Sequence, residues 1–245
     1  MPRFFSETIG RSPVIEGSDA AHIAGALRMR PGERLTVCDL KGTDYLCEIL
    51  TADRSRVELA VLETTPTKSE PGLAVTLYQC IPKGDKLDGV VQKAVELGVS
   101  RIVPVLSSRC VSRPDEKAMG KKVDRWQKIA REAAGQSGRG ILPAVGPAVT
   151  FKACATELAD YDLSLFFYEE GGDPLREAVA RTALPPSGGT AAVLIGPEGG
   201  FAPEEAALAD GAGARTVTLG PRILRTETAP IAALTALMLL TGNLE

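Results

Sequence analysis

Apolar and polar positions along the chain change rhythm near residue 70. Before it, residues 34–38, 45–50 and 57–62 are short apolar-rich runs, separated by turn signals at 39–44 and 51–56. That pattern predicts three strands of a small β domain. Residues 19–29, DAAHIAGALRM, predict a short helix with Ile23, Ala26 and Leu27 inward, and Arg30-Pro31-Gly32-Glu33 a turn into the first strand. Residues 63–72, ETTPTKSEPG, are polar with two prolines and read as a linker.

From Leu73 onward strands alternate with helices. Residues 73–81 predict a strand, 82–85 a turn, and Leu87, Val90, Val91, Ala94 and Val95 a helix ending near Gly98. A strand at 101–106 follows, then a long helix at 112–135 with Pro114, Asp115 and Glu116 in its first turn. Val123, Trp126, Ala130 and Ala133 share one face of it; Trp126 fits core packing or a base-stacking platform. Strands at 144–149 and 163–168 and helices at 150–159 and 174–182 come next, then a Gly/Pro-rich approach at 185–189. Residues 191–195 and 216–219 read as buried strands, and 201–205 as a helix start. After Pro230, the positions Ile231, Ala233, Leu234, Leu237 and Met238 predict a helix apolar on more than one face, buried in the core or at a subunit interface. The alternation predicts a parallel α/β sheet after residue 72.

The strands at 191–195 and 216–219 end alike, at Gly196-Pro197 and Gly220-Pro221. In open parallel sheets, ligands sit just outside such carboxyl ends. Two Gly-Pro loops make a wall of backbone N–H and C=O groups suited to a small polar ligand with a flat ring, or serve simply as strand-to-helix turns. Gly196-Pro197-Glu198-Gly199-Gly200 has no Lys to meet phosphates and lacks the G-x-G-x-x-G spacing of dinucleotide sites. Glu198 would repel a phosphate, so a ligand without phosphates fits better.

Composition narrows the function classes. The five cysteines show no C-x-x-C and His22 is the only histidine, so a metal cluster or His-based triad is not expected. No apolar run is long enough to span a bilayer, and MPRFFSETIG lacks a signal-peptide core, so a cytoplasmic location and no membrane association are expected. The net charge of −3 is unevenly spread: residues 71–145 carry 13 basic and 7 acidic side chains, with ten of the basic ones between Arg101 and Arg139. Such a zone is either a phosphate-contacting surface or a solvated helix face.

IGPEGGF followed by LGPRILRTETA resembles the SPOUT class of S-adenosylmethionine-dependent RNA methyltransferases. Within it, the similarity is greatest to the family that methylates N3 of a uridine in small-subunit (16S) ribosomal RNA. HIAGALRMRPGERLTVCD, KGDKLDGVVQKAVELGVSRIVPV and REAAGQSGRG match the same family, so the likeness covers nearly the whole chain. It implies an α/β fold: a PUA-like β-barrel RNA-binding domain at 1–70, and at 71–245 a SPOUT domain with a parallel sheet and a deep trefoil knot. General rules of chain topology would not suggest a knot. It also implies a homodimer, S-adenosylmethionine as cofactor, and small-subunit ribosomal RNA or the assembled 30S subunit as partner.

Carried over residue by residue, the resemblance makes Leu194, Ile195, Gly196, Gly200, Leu219, Gly220, Ile223, Leu224 and Ala229 the cofactor positions. Arg28, Lys83, Gln136 and Arg139 are the candidate RNA contacts, with His22 and Arg3 weaker ones. Arg28 could instead make a surface ion pair, His22 a structural hydrogen bond, and Gln136 a helix cap; Lys93 could pair with Glu96. Methylating uridine N3 requires removal of its proton. Arg225 is the candidate for stabilising the uracil anion and orienting the base, and Glu227 for accepting the proton or orienting Arg225. The alternative for these two is a structural salt bridge. Other functions stay open at this level: a non-catalytic RNA-binding protein, or a SPOUT enzyme acting on transfer RNA or a ribose 2′-hydroxyl.

Overall fold

The computed structural model of the chain describes residues 1–6, 9–10, 12–185 and 188–244. Residues 186 and 187 of the Gly/Pro-rich approach lie outside the described residues. The chain forms two compact units, Met1–Glu70 with Ala134–Leu142, and Pro71–Ala133 with Pro143–Glu245.

The first unit contains β1 (Arg3–Phe5), β2 (Val14–Glu16), α1 (Gly17–Ala21), β3 (Arg34–Cys38), β4 (Thr43–Ala52) and β5 (Arg56–Pro66). The strands form one sheet in the order β1-β3-β4-β5-β2, antiparallel except for β1 against β3. Ile15, Ile23, Leu35, Val37, Ile49, Val57 and Leu59 are its buried core. The expected helix at 19–29 breaks after α1 into a π-turn, His22–Ala26. The wider turn changes the phase of the side chains. Ile23 is therefore buried, as expected, whereas Ala26 and Leu27 are exposed. Arg28 takes a left-handed φ of 54° and closes the segment, with Met29 N–H donating to Ile23 O at 3.0 Å.

The expected linker is more ordered than its polarity suggested. β5 runs on to Pro66, pairing with Thr43 across two register shifts. Ladder hydrogen bonds need no apolar side chains, so a reading of apolar runs stops short at residue 62. Beyond the strand, Thr67 N–H donates to Gly42 O at 2.8 Å and Ser69 Oγ to Gly138 O at 2.6 Å.

The second unit contains β6 (Leu73–Cys80), α2 (Lys86–Glu96), β7 (Arg101–Leu106), α3 (Glu116–Ser137), β8 (Ala144–Val145), β9 (Val149–Thr150), α4 (Phe151–Leu158), β10 (Leu163–Phe167), β11 (Asp173–Pro174), α5 (Leu175–Ala180), β12 (Gly189–Ile195), α6 (Pro203–Gly211), β13 (Arg215–Thr218) and α7 (Ala229–Leu240). The last turn of α3 falls in the first unit. The order is β11-β13-β10-β12-β6-β7-β8, with β9 also on β7, and every pairing is parallel. β10 and the 191–195 stretch of β12 are buried throughout, which is why they read as unbroken apolar runs. β13 is an exception: only Val217 is fully buried there. α7 packs Ala233, Leu234, Leu237 and Met238 inward, against β12, β6, α2 and α5, and leaves Leu239 half exposed. That burial bears out the core placement expected for one side of the two-faced apolar pattern.

Strand order positions the site. The chain leaves β12, passes through α6 and returns as β13, stepping over β10. The carboxyl ends of β12, β10 and β13 thus lie side by side, with Phe167 in register with both Ile195 and Val217.

Candidate active site

A cleft of about 990 Å³ opens at those three strand ends. One wall is the Gly196–Gly200 loop, another the segment from Val217 to Thr226, and between them stand Phe167 to Gly171 from the end of β10. The two Gly-Pro loops are therefore not immediate neighbours; the β10 tip separates them and supplies a floor. Lys86 and Ala229 complete the lining.

Each loop is held by contacts that need its particular residues. Gly200 has φ of +65° and a Cβ there would fall on the Glu169 carboxylate. Glu169 in turn accepts from Phe201 N–H at 2.9 Å and stands 4.0 Å from Arg109, whose guanidinium donates to Gly199 O at 3.0 Å. Glu169 thus anchors the first loop rather than simply facing solvent, as its place in an acidic loop would suggest. Gly220 has φ of +104° with open space around it, so its requirement is conformational rather than steric.

Two connections join the loops. Thr226 donates its hydroxyl to Gly196 O at 2.7 Å and accepts from Gln79 Nε2 at 3.2 Å. Thr228 is the residue preceding α7 and makes no side-chain cap bond. The second connection is ionic. Lys86 Nζ lies 2.8 Å from Glu198 Oε1 and 3.4 Å from Glu227 Oε2. Glu198 also accepts from Lys83 N–H at 3.1 Å. Burial pushes the Glu198 carboxyl up, but the Lys86 hydrogen bond and backbone N–H donors outweigh it and hold it below the usual range. The same hydrogen bond raises the Lys86 ammonium. Gln79 and Glu169 lie outside the stretches that match the family; Lys86 lies within one of them, at the start of α2, but nothing in the sequence ties it to Glu198 or Glu227.

Of the residues expected to hold a cofactor, Ile195, Gly196, Gly200, Leu219, Gly220, Ile223, Leu224 and Ala229 line the cleft. Leu194 does not; it is one residue back from the strand end and fully buried in β12. Arg225 lines the cleft with an exposed side chain that makes no ion pair among the described residues. Its carbonyl accepts from Thr228 and Ala229 N–H at 2.8 and 2.9 Å, fixing the backbone at this point. An Arg225–Glu227 salt bridge is not formed, since Glu227 turns to Lys86 instead.

The expected RNA contacts divide. Lys83, Arg28 and Gln136 are exposed. Arg139 is not: its side chain is 3% exposed and its Nε and Nη2 donate to Glu70 at 3.0 and 2.7 Å. The same carboxylate accepts from Gly140 and Ile141 N–H. Arg139 thus stabilises the first unit from within, and a phosphate contact would require breaking that pair. Arg3 is likewise engaged, by Asp44 at 2.7 and 2.8 Å. Lys93 does pair with Glu96, at 2.9 Å, and Trp126 is buried with its ring N–H on Asp88 at 3.0 Å.

The architecture admits comparison with known proteins. Residues 68–238 match the RNA methyltransferase domain family and residues 15–62 the RNA methyltransferase PUA domain. Among curated proteins, the ribosomal RNA small subunit methyltransferase E of Bacillus subtilis is 35% identical over 97% of this chain and 96% of its own length. That of Mycobacterium bovis is 32% identical over 98% and 92%. Among solved structures, the ribosomal RNA small subunit methyltransferase E of Neisseria gonorrhoeae, bound to S-adenosyl methionine, superposes with a TM-score of 0.82 at 34% identity, covering 98% of each chain. A hypothetical protein of known structure superposes at 0.88 and 33% identity, over 99% of this chain and 100% of its own. The likeness thus spans both the PUA and the RNA methyltransferase domains along nearly the full length, and the chain belongs to the ribosomal RNA small subunit methyltransferase E family.

Proposed function

We propose that this protein transfers the methyl group of S-adenosylmethionine to N3 of a uridine in small-subunit ribosomal RNA. The observation that carries this reading is the cleft at the ends of β12, β10 and β13, built on the two Gly-Pro loops of the family. Its residues suit that cofactor. The glycines leave backbone at the wall, the apolar Ile195, Leu219 and Leu224 suit a flat ring, and the acidic Glu169, Glu170 and Glu198 favour a cation over a phosphate.

When bound, the cofactor supplies an activated methyl carbon on a sulfonium. Ile195, Gly196, Gly200, Leu219, Gly220, Ile223, Leu224 and Ala229 would hold it; Leu194 supports the wall from behind. The protein's part in transfer is alignment and charge control. Arg225, at the cleft wall, would orient the uracil and stabilise the negative charge that appears as N3 loses its proton. Glu227, held by Lys86, would accept that proton.

In this reading residues 1–70 serve RNA binding, with Arg28 exposed for it, and residues 71–245 the chemistry, with Lys83 and Gln136 as further RNA contacts. The enzyme would work in the cytoplasm as a homodimer without metal, its C-terminal helix threaded through a loop to complete a deep trefoil knot. The test is incubation with methyl-labelled cofactor and either naked 16S RNA or small ribosomal subunits, followed by identification of the labelled nucleoside. 3-Methyluridine is expected. Label in transfer RNA, or on a ribose 2′-hydroxyl, would replace the proposed substrate; cofactor binding without transfer would leave an RNA-binding protein.

A further inference from the structure

The second unit carries charge that its own packing does not use. On α3, Lys117, Lys121 and Lys128 recur at spacings of four and seven residues, which on an α-helix keeps them within one narrow stripe. All three are exposed, and their ammonium groups make no ion pair or hydrogen bond among the described residues. Asp124 stands exposed in the same stripe. The opposite face is spent on packing: Met119, Trp126, Ala130 and Ala133 are buried.

Contacts of the packed face and one flank fix how α3 sits on its neighbour. Trp126 Nε1 donates to Asp88 Oδ1 at 3.0 Å, and the Arg125 guanidinium pairs with Asp88 and lies 3.9 Å from Asp85. Asp85 and Asp88 flank Lys86, which lines the cleft. α3 is therefore moored, at its middle, to the turn of α2 that borders the cleft. Arg125 is neutralised by this mooring; the three lysines are not.

We infer that this stripe of α3, on the face turned away from its packing against α2, is a docking ridge for the phosphate backbone of the RNA substrate. The inference rests on the reading that the protein acts on RNA, and adds the surface that would hold it. Lysine suits the task, since its ammonium is a point charge on a flexible stem and meets a phosphate without a fixed geometry. Lys121 and Lys128 are about 10 Å apart along the helix axis, at 1.5 Å per residue. That is close enough to engage phosphates of one strand. No base edge needs to be read by such contacts, so the ridge would set affinity and register, leaving selection of the uridine to the cleft.

The experiment is an equilibrium titration of fluorescently labelled naked 16S RNA with the full-length protein across a series of salt concentrations. Lys117→Ala/Lys121→Ala/Lys128→Ala should lower the salt slope by about 2, at roughly 0.7 per single-strand phosphate contact, and weaken binding about tenfold or more at low salt. Its affinity for S-adenosylmethionine should stay that of the parent. Asp124→Lys should shift both quantities the other way, and since it is a gain it cannot be imitated by partial unfolding. Unchanged slopes in both variants would overturn the ridge. Methyl transfer by the parent protein, measured in parallel, separates the two claims: transfer with unchanged slopes removes the ridge alone, whereas a parent that neither binds nor methylates RNA removes the underlying reading and the ridge with it.

Discussion

The Thr226 hydroxyl donates to the Gly196 carbonyl at 2.7 Å, from a side chain only 5% exposed. Gly196 follows β12 and Thr226 precedes α7, so one buried hydrogen bond sets the spacing of the two loops. Gln79 Nε2 of β6 donates to the Thr226 hydroxyl at 3.2 Å. Thr226→Val keeps the shape but leaves the Gly196 carbonyl and one Gln79 N–H without this partner. Stranding a buried polar group costs roughly 1–3 kcal/mol. Thr226→Val should therefore lower stability by about that amount and weaken cofactor binding about tenfold, whereas Thr226→Ser should behave as the parent. Thermal unfolding and calorimetric titration check this; equal affinities in all three proteins would show that the loops do not depend on the bond.

Lys86 is the charged counterpart of that bond. Replacing it with Met leaves Glu198 and Glu227 facing each other without a cation. Glu227 then loses the contact that holds it, so turnover should fall more than cofactor affinity, and Lys86→Arg should recover part of it. The pH direction follows from Glu198, whose carboxyl sits below its usual range in the folded protein. Its contribution is present above the unfolded carboxylate pKa and lost as pH falls through the lowered folded value. Loop order, followed by Phe201 or Tyr168 resonances, should decline at acid pH in the parent and less steeply in Lys86→Met. Turnover that does not respond to Lys86→Met would remove Lys86 from the mechanism.

Arg225 lines the cleft with a guanidinium that makes no ion pair among the described residues. Arg225→Ala should abolish methyl transfer while leaving cofactor affinity within about threefold, because its assigned role is toward the uracil. Normal turnover in this variant would mean that the anion is stabilised by something else.

The glycines of the two loops should respond differently to one methyl group. Gly220→Ala meets no neighbour and incurs only the cost of a left-handed φ, about 1–3 kcal/mol. Gly220→Val adds branching and should lose the cofactor. Gly200→Ala meets the Glu169 carboxylate, which must move and release Phe201 N–H, so it should already lose the cofactor as alanine. Cofactor titration of the three variants ranks them; a Gly200→Ala protein that binds as the parent does would show that Glu169 is dispensable to the loop.

How much of this was legible in the residues depends on which force made each feature. The strands at 101–106 and 163–167 and the helix at 86–96 followed from burial, which writes itself into apolar spacing. β1 and β2 were not read, because three residues of sheet pairing leave no periodic trace. The β5 extension to Pro66 is held by backbone ladder bonds that any sequence can make. At the site, the Gly-Pro pairs announced the loops, whereas the contribution of β10 depended on strand order, which alternation alone does not specify. Lys86, Glu169 and Gln79 act across more than 25 residues of sequence, through contacts that exist only once the sheet is assembled. Arg139 differs again: the family resemblance makes it an RNA contact, whereas its burial beside Glu70 is visible only in three dimensions.

That pair gives a last prediction, about the first unit alone. Glu70 accepts from the Arg139 guanidinium and from two backbone N–H groups, Gly140 and Ile141. Burial pushes its carboxyl up, yet Arg139 and the backbone donors outweigh this and leave it below the usual range. A depressed folded pKa stabilises the protein above the unfolded value, near 4.3, and that stability is lost as pH falls through the folded value. Acid below about pH 4 should therefore release the 134–142 segment from the first unit. Glu70→Gln leaves a guanidinium 3% exposed without its counter-charge, and breaking a buried pair from one side costs about 3–5 kcal/mol. The variant should be destabilised by that order at pH 7 and lose part of the parent's acid dependence. Hydrogen exchange at Gly140 and Ile141, whose amides donate to this carboxylate, reports the release directly. If both amides exchange at the same rate in parent and variant at pH 7, Glu70 does not hold the segment.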